Sequence, residues 1–309
     1  MTAIETSSVT KRYGDETALD GLNLTVNSGE VYGFLGPNGA GKSTTINLIL
    51  DFIRPTTGEV SVFGLDAQDD TLEIRNRTGI LPEGATCYDR LTGRKHVEFA
   101  IESKNADDDP DELLERVGIA DSADKKAGGY SKGMAQRLML ATALVGEPDL
   151  LILDEPSTGL DPNGAREMRE IIREENARGA TVFFSSHILG QVEAICDRVG
   201  ILRDGHLIAE DTVEGLRDSM PNQTRLRVQI DRVPENSSAA LEALESIDGV
   251  SEVSADGTTV VITCADEAKT TALRTIEEYA TVDDFATDES SLEDLFMAYT
   301  TGDSRRVVQ

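Results

Sequence analysis

The sequence predicts an α/β protein built on a parallel sheet, followed by a small α+β domain. Three observations carry this. Residues 31–35, 150–153 and 181–184 are short, largely apolar runs separated by helical stretches, which is how strands buried on both faces of a parallel sheet read. A glycine-rich segment lies between the first of these runs and a helix. After a break at Met220-Pro221-Asn222 the order becomes strand, helix, strand, strand, helix, strand, the β-α-β-β-α-β pattern of a ferredoxin-like unit.

Taken in order, residues 1–32 read as short strands with turns. Leu22, Leu24 and Val26 alternate, and Asn27-Ser28-Gly29 fits a hairpin turn. Residues 31–35 form a strand, about 42–52 a helix and 58–63 another strand. Residues 88–145 have a helical period, broken at Asp107-Asp108-Asp109-Pro110. A helix joins strands 150–153 and 181–184. A strand pair spans 199–210 around Asp204-Gly205. Beyond the break come strand 225–231, helix 237–247, strands 250–254 and 258–264, helix 266–279, strand 281–286 and helix 291–299.

The 309 residues suffice for about two domains. They carry 29 Lys and Arg against 57 Asp and Glu, a formal charge of −28. That argues against a sequence-independent nucleic-acid binder, which needs cations to neutralise phosphates, and against a basic membrane-surface protein. No nucleic-acid partner is expected. At 39% hydrophobic, the chain can still bury a core. No apolar run approaches the ~18–20 residues that span a bilayer, and the start MTAIETSSVTKRYG lacks a signal peptide's apolar centre. A cytoplasmic location follows as an expectation. Cys87, Cys196 and Cys264 lie far apart without metal-site spacing, so structural thiols are expected.

Only 8 of the 29 basic residues are Lys. High acidity with few lysines suits concentrated salt, where at 1 M self-repulsion is screened within about 3 Å. An acidic protein of ordinary solvent is the alternative. On the salt-adapted reading the melting temperature climbs as KCl goes from dilute to molar. A melting temperature that falls over that series removes it.

Gly36-Pro37-Asn38-Gly39-Ala40-Gly41-Lys42-Ser43-Thr44 matches G-x-x-x-x-G-K-[ST] between a strand and a helix. Backbone N–H groups there can wrap a phosphate, and the helix N-terminus favours negative charge. Lys42 supplies a point charge on the β/γ-phosphates, and the Ser43 hydroxyl a ligand for Mg²⁺. Residues 150–155, LLILDE, set two carboxylates at a strand end. Asp154 suits Mg²⁺ and Glu155 the orientation or deprotonation of a water. A strand ending in an ordinary acidic turn is the plain reading of those two alone. Residues 130–137, YSKGMAQR, place Ser131 as an N-cap before an apolar helix, which alone reads as a capped core helix.

Together, in this order, the motifs over about residues 4–212 resemble the ATP-binding-cassette (ABC) ATPases. Tyr13 matches the aromatic that stacks on adenine, and 36–44 the Walker A loop. Tyr130-Ser131-Lys132-Gly133-Met134 matches the signature more often written LSGGQ, and 150–155 the Walker B strand. Ser157-Thr158-Gly159-Leu160-Asp161 matches the D-loop, and His187 in Ser185-Ser186-His187 the switch histidine. Glu83 stands where the family usually has Gln; a carboxylate remains an oxygen ligand for Mg²⁺. Glu83, YSKGM and the tail from Ser291 to Phe296 resemble the drug- and antibiotic-exporter branch.

The resemblance implies a P-loop NTPase fold over residues 1–218. This would have a RecA-like core, an antiparallel β subdomain and a helical subdomain at about 88–145, with an accessory domain at 222–309. It implies an ATPase using ATP and Mg²⁺, with Glu155 and His187 catalytic and Ser43, Asp154 and Glu83 at the metal. Ser131, Lys132, Gly133 and Met134 would contact ATP bound by a second cassette, a copy of this chain, with Asp161 at the junction. A separate membrane permease would carry the substrate out, with the ATPase peripheral on the inner face of the membrane. The permease contact would lie within 83–102, where Leu91, Val97, Phe99 and Ile101 offer apolar anchors or helical core. A soluble relative acting on ribosomes or nucleic acid, or an importer ATPase, stays as the alternative.

Overall fold

The computed structural model describes residues 1–218, 223–234 and 236–289. By internal contacts the chain divides into Met1–Val213 and Glu214–Gln309.

In the first unit, β1 (Thr2–Tyr13) and β2 (Glu16–Asn27) pair antiparallel across a tight turn at Gly14-Asp15. No hairpin forms at Asn27-Ser28-Gly29, contrary to the sequence expectation. The chain there leaves this sheet for β3 (Val31–Leu35), inside a different one. The alternation of Leu22, Leu24 and Val26 reports which face of β2 is buried, not which strand pairs with it.

The glycine-rich loop leads into α1 (Lys42–Ile49). This helix stops short of the expected Phe52. Asp51 takes φ 50°, and the Phe52 N–H turns to the Asn47 carbonyl at 2.8 Å. Next come β4 (Thr57–Val62), β5 (Leu65–Asp66), α2 (Thr71–Asn76) and β6 (Thr78–Leu81). The first sheet is antiparallel, in the order β2-β1-β4-β5.

The helical stretch resolves into α3 (Gly93–Lys104), α4 (Pro110–Arg116) and α5 (Lys132–Leu144). Each starts on a side-chain cap: Thr92, Asp109 and Ser131 accept N–H bonds from Lys95, Asp111 and Met134. Pro110 sits in the first turn of α4, where its missing N–H costs nothing.

The core sheet is completed by β7 (Leu150–Asp154), α6 (Pro162–Ala177), β8 (Thr181–Ser186), α7 (Leu189–Glu193), β9 (Arg198–Arg203) and β10 (His206–Thr212). Its order is β10-β9-β3-β8-β7-β6, parallel except for β10. Every residue of β3, β7 and β8 is buried, so these strands read as unbroken apolar runs. Tyr32, Phe34 and Phe183 form an aromatic cluster, Phe34 and Phe183 having centroids 5.2 Å apart. They share a core with Ile4, Leu22 and Leu24 of the antiparallel sheet and Ile46 and Ile49 of α1. Each large side chain buried there contributes about 1.5–3 kcal/mol. Arg116 of α4 pairs with the buried Glu175 of α6, which Arg178 also meets. Burial pushes the Glu175 carboxyl above its usual range, against the pull of Arg116.

α8 (Val213–Asp218) begins on the last residue of the first unit, and the second unit continues with β11 (Gln223–Ile230), α9 (Ser237–Glu245), β12 (Val250–Asp256), β13 (Thr259–Ala265), α10 (Lys269–Glu277) and β14 (Val282–Glu289). The sheet is antiparallel, ordered β12-β13-β11-β14. Leu226, Val228, Ile262 and Cys264 pack with Leu244 of α9 and Ala272 and Ile276 of α10. This is the ferredoxin-like arrangement the sequence predicts. The expected helix at 291–299 lies outside the described residues. Among the described residues no helix is long and apolar enough to cross a membrane.

Candidate functional site: a phosphate loop and the strand ends beside it

Four neighbouring parallel strands, β3, β8, β7 and β6, run in one direction. β3 runs directly into residues 36–44, β8 into His187, and β7 into Asp154 and Glu155. Glu83 follows two residues after β6.

The loop after β3 is tightly built. Its Gly36 N–H bonds the Ser186 carbonyl at 3.2 Å, which ties it to β8. A Cβ on Gly36 would stand 2.5 Å from the Leu202 carbonyl oxygen. Gly41 takes φ 112°, and a Cβ there would meet Leu19 Cδ2 at 2.7 Å and the Ala18 oxygen at 2.8 Å. Both positions therefore need glycine, one for space and one for space and backbone sign. The Lys42 ammonium is buried and donates to the Gly36 carbonyl at 2.7 Å, with Pro37 O at 3.4 Å. Ser43, on the first helical turn, is exposed.

The acids lie alongside. Asp154 and Glu155 are both buried. Asp154 Oδ1 accepts a short hydrogen bond from the Ser185 hydroxyl. Glu155 takes φ 52°, rare for a residue with a side chain and a form of backbone strain that clusters at working sites. Its Oε1 lies 3.6 Å from Lys42 Nζ and 2.9 Å from His187 Nδ1. Neither Glu155 oxygen has a hydrogen-bond partner of proper geometry. A buried carboxylate in that condition has acceptor capacity left for water or a ligand.

A cleft of about 710 Å³ is lined by Tyr13, Pro37, Asn38, Gly39, Gly41, Lys42, Ser43, Thr44 and Glu83. The structure thus brings together the aromatic, the phosphate loop and the Glu83 position. Glu16, Thr17, Ala18, Asp204 and Gly205 share the lining. Asp204-Gly205 is legible in the sequence only as a turn, and nothing in the sequence marks residues 16–18.

The signature residues stand elsewhere: none of Ser131, Lys132, Gly133 and Met134 lines that cleft. They open α5 against the D-loop, Gly133 lying 3.5 Å from Leu160 Cδ2 as measured from the position a Cβ would take. A side chain on Gly159 would collide with the Lys132 ammonium. Asp161 caps α6 by accepting the Gly164 N–H at 2.8 Å. The Ser157 hydroxyl, also in this loop, is buried without a partner.

Residues 19–158 match the ABC transporter family, and residues 212–300 match the family described as ATP-binding protein DrrA1-3-like, C-terminal domain. The bacitracin transport ATP-binding protein BcrA of Bacillus licheniformis is 43% identical over 222 residues, covering 70% of this chain and 72% of its own. This chain belongs to the ABC transporter ATP-binding proteins.

The daunorubicin resistance ATP-binding protein DrrA3 of Streptomyces coeruleorubidus is 35% identical over 314 residues, 99% of this chain and 98% of that one. These two relatives are ATP-binding proteins of bacitracin transport and of daunorubicin resistance, and with DrrA3 the likeness runs through the C-terminal domain as well. Among solved structures, an ATP-binding subunit of an ABC transporter aligns with TM-score 0.65 and 31% identity over 70% of this chain and 92% of that one. A dimeric cassette in a post-hydrolysis state with ADP and Pi aligns with TM-score 0.63 and 26% identity, over 68% and 98%. The cassette binds ATP, and its reaction is ATP hydrolysis coupled to transport.

Proposed function

We propose that two copies of this cassette close around ATP to drive export of an antibiotic-type molecule through a separate permease. The carrying observation is the convergence of Lys42, Asp154, Glu155 and His187 at adjoining strand ends beside the cleft of Tyr13 and the phosphate loop. Residues 36–44 wrap the triphosphate with N–H groups, and Lys42 leaves its loop carbonyls for the β/γ-phosphates. Tyr13 stacks on the adenine. Glu155 takes a proton from the attacking water, and His187 keeps carboxylate and γ-phosphate in line.

Ser43, Asp154 and Glu83 hold Mg²⁺. The residues fit that cation: a serine hydroxyl and two carboxylates are hard oxygen donors, few enough to leave room for phosphate and water oxygens. Bound there, Mg²⁺ offsets the charge that builds on the phosphates.

Ser131, Lys132, Gly133 and Met134, set apart from their own chain's cleft, serve the ATP of the second copy. Asp161 holds the D-loop at that junction. Binding then favours the closed pair and hydrolysis the open one.

The permease docks on a groove of about 390 Å³ between the core sheet and the helices, lined by Phe52, Ile80, Tyr88, Phe99 and Met139 among others. Phe52, Tyr88 and Phe99 are exposed. No Asp or Glu lines this groove, in a chain with 57 of them, which suits an apolar partner. Of the anchors weighed from sequence, Phe99 faces this groove, whereas Val97 is fully buried and packs the subdomain's core. This docking puts the ATPase on the inner face of the membrane.

Phe99→Asp is expected to abolish transport in vesicles holding cassette and permease, with the free cassette's ATPase rate within about twofold of the parent. Transport that survives the change removes this groove from permease docking. The broader reading is tested by purifying the cassette from native membranes and identifying what comes with it. A multispan permease is expected; ribosomes or DNA in its place overturn the transport role.

A further inference from the structure

Ser185 occupies the end of β8, between the strand that feeds the phosphate loop and the strand that ends in the two acids. It lies opposite Phe34 of β3 on one side and Asp154 of β7 on the other. It is fully buried. Its hydroxyl donates to Asp154 Oδ1, and its carbonyl accepts the Glu155 N–H at 3.2 Å. One residue therefore contacts both acids, Asp154 through its side chain and Glu155 through its backbone. Among the described residues, Ser185 is the donor that reaches the Asp154 carboxylate.

Its neighbour Ser186 is equally buried but turned to a different task. The Ser186 hydroxyl donates to Gln191 Oε1 at 3.1 Å and accepts the Ile188 N–H at 3.0 Å, pinning the turn that carries His187. Two adjacent serines of identical chemistry thus serve separate parts of the site. That contrast makes a generic strand-end role for the Ser185 hydroxyl a poor explanation of its geometry.

The geometry points to Ser185 as the positioning residue for Asp154: its hydroxyl holds Oδ1 and fixes the orientation of the carboxylate that would ligate the divalent cation. This rests on the reading of Asp154 as a Mg²⁺ ligand. A carboxylate that ligates a metal is oriented by the hydrogen bonds it accepts, and loss of such a partner costs about 10–100-fold in metal affinity. With the hydroxyl removed, Oδ1 is a buried acceptor lacking its donor, and the carboxylate turns to find another.

The test compares Ser185→Thr with Ser185→Val in the full chain. The two side chains share a shape and differ in the hydroxyl. The probe is Mn²⁺, with free ion counted by electron paramagnetic resonance in the presence of ADP. ADP binding without metal serves as the check on folding. Ser185→Val is expected to weaken Mn²⁺ about tenfold, with metal-free ADP binding unchanged. Ser185→Thr is expected to stay within about twofold of the parent, and Ser186→Ala likewise.

Equal weakening in Thr and Val would mark a packing effect and overturn the proposal, as would parental Mn²⁺ affinity in Val. If Val fails the folding check, Ser185→Ala replaces it under the same criteria. Asp154→Asn separates the two levels. Parental Mn²⁺ affinity in that variant sinks the ligand reading itself. Weakening there, without weakening in Ser185→Val, sinks the role of Ser185 alone.

Discussion

Glu155→Gln is expected to bind ATP at least as tightly as the parent chain, to accumulate a closed pair of cassettes, and to turn over about a thousandfold more slowly. The amide keeps the size of the carboxylate but cannot take a proton from water, and a positioned general base supplies about 10²–10⁴ in rate. The geometry adds a reason for undiminished binding. Glu155 Oε1 lies 3.6 Å from Lys42 Nζ, so the carboxylate competes with phosphate for that cation. A neutral amide competes less. Steady-state hydrolysis together with light scattering in ATP reads both effects. Parental turnover in this variant would remove Glu155 from the proton transfer.

Ser131→Arg is expected to lose hydrolysis and ATP-driven pairing while single copies still bind nucleotide. Ser131 is exposed, caps α5, and lines no part of its own chain's cleft. Losing the cap costs about 1 kcal/mol of helix stability, too little to unfold the chain. The bulky cation instead blocks the approach of a second copy's ATP. Fluorescent-nucleotide titration of dilute protein, set beside ATPase rate, separates the two. If nucleotide binding is lost along with hydrolysis, capping in trans is wrong for this cassette.

Much of the architecture was legible in the sequence because it rests on local rules. The phosphate loop is fixed by glycines that nothing else can replace: Gly36 under the Leu202 carbonyl, Gly41 at φ 112°. Buried parallel strands announce themselves as apolar runs, and the second unit's topology follows from its element order. What stayed hidden depends on pairing or on side-chain direction. The turn at Asn27-Ser28-Gly29 looks like a hairpin because its residues permit one, but sheet partners far along the chain decide otherwise. Val97 and Phe99 are both apolar residues on one helix, two apart, and so face different ways. The hydroxyls of Ser185 and Ser186 are indistinguishable as letters and separate only when the neighbouring strands are in place.

The succession β3, β8, β7, β6 can also be regarded as a ruler. Adjacent strands lie about 4.8 Å apart, so the phosphate loop, the histidine, the acid pair and the Glu83 turn are graduated across roughly 14 Å. Along the chain the same groups occur in another order, the Glu83 turn second and the histidine last, separated by dozens of residues. Backbone hydrogen bonds, which hardly depend on side-chain identity, therefore set the spacing. The intervening segments, α3 and α4 among them, lengthen the path along the chain without entering that spacing.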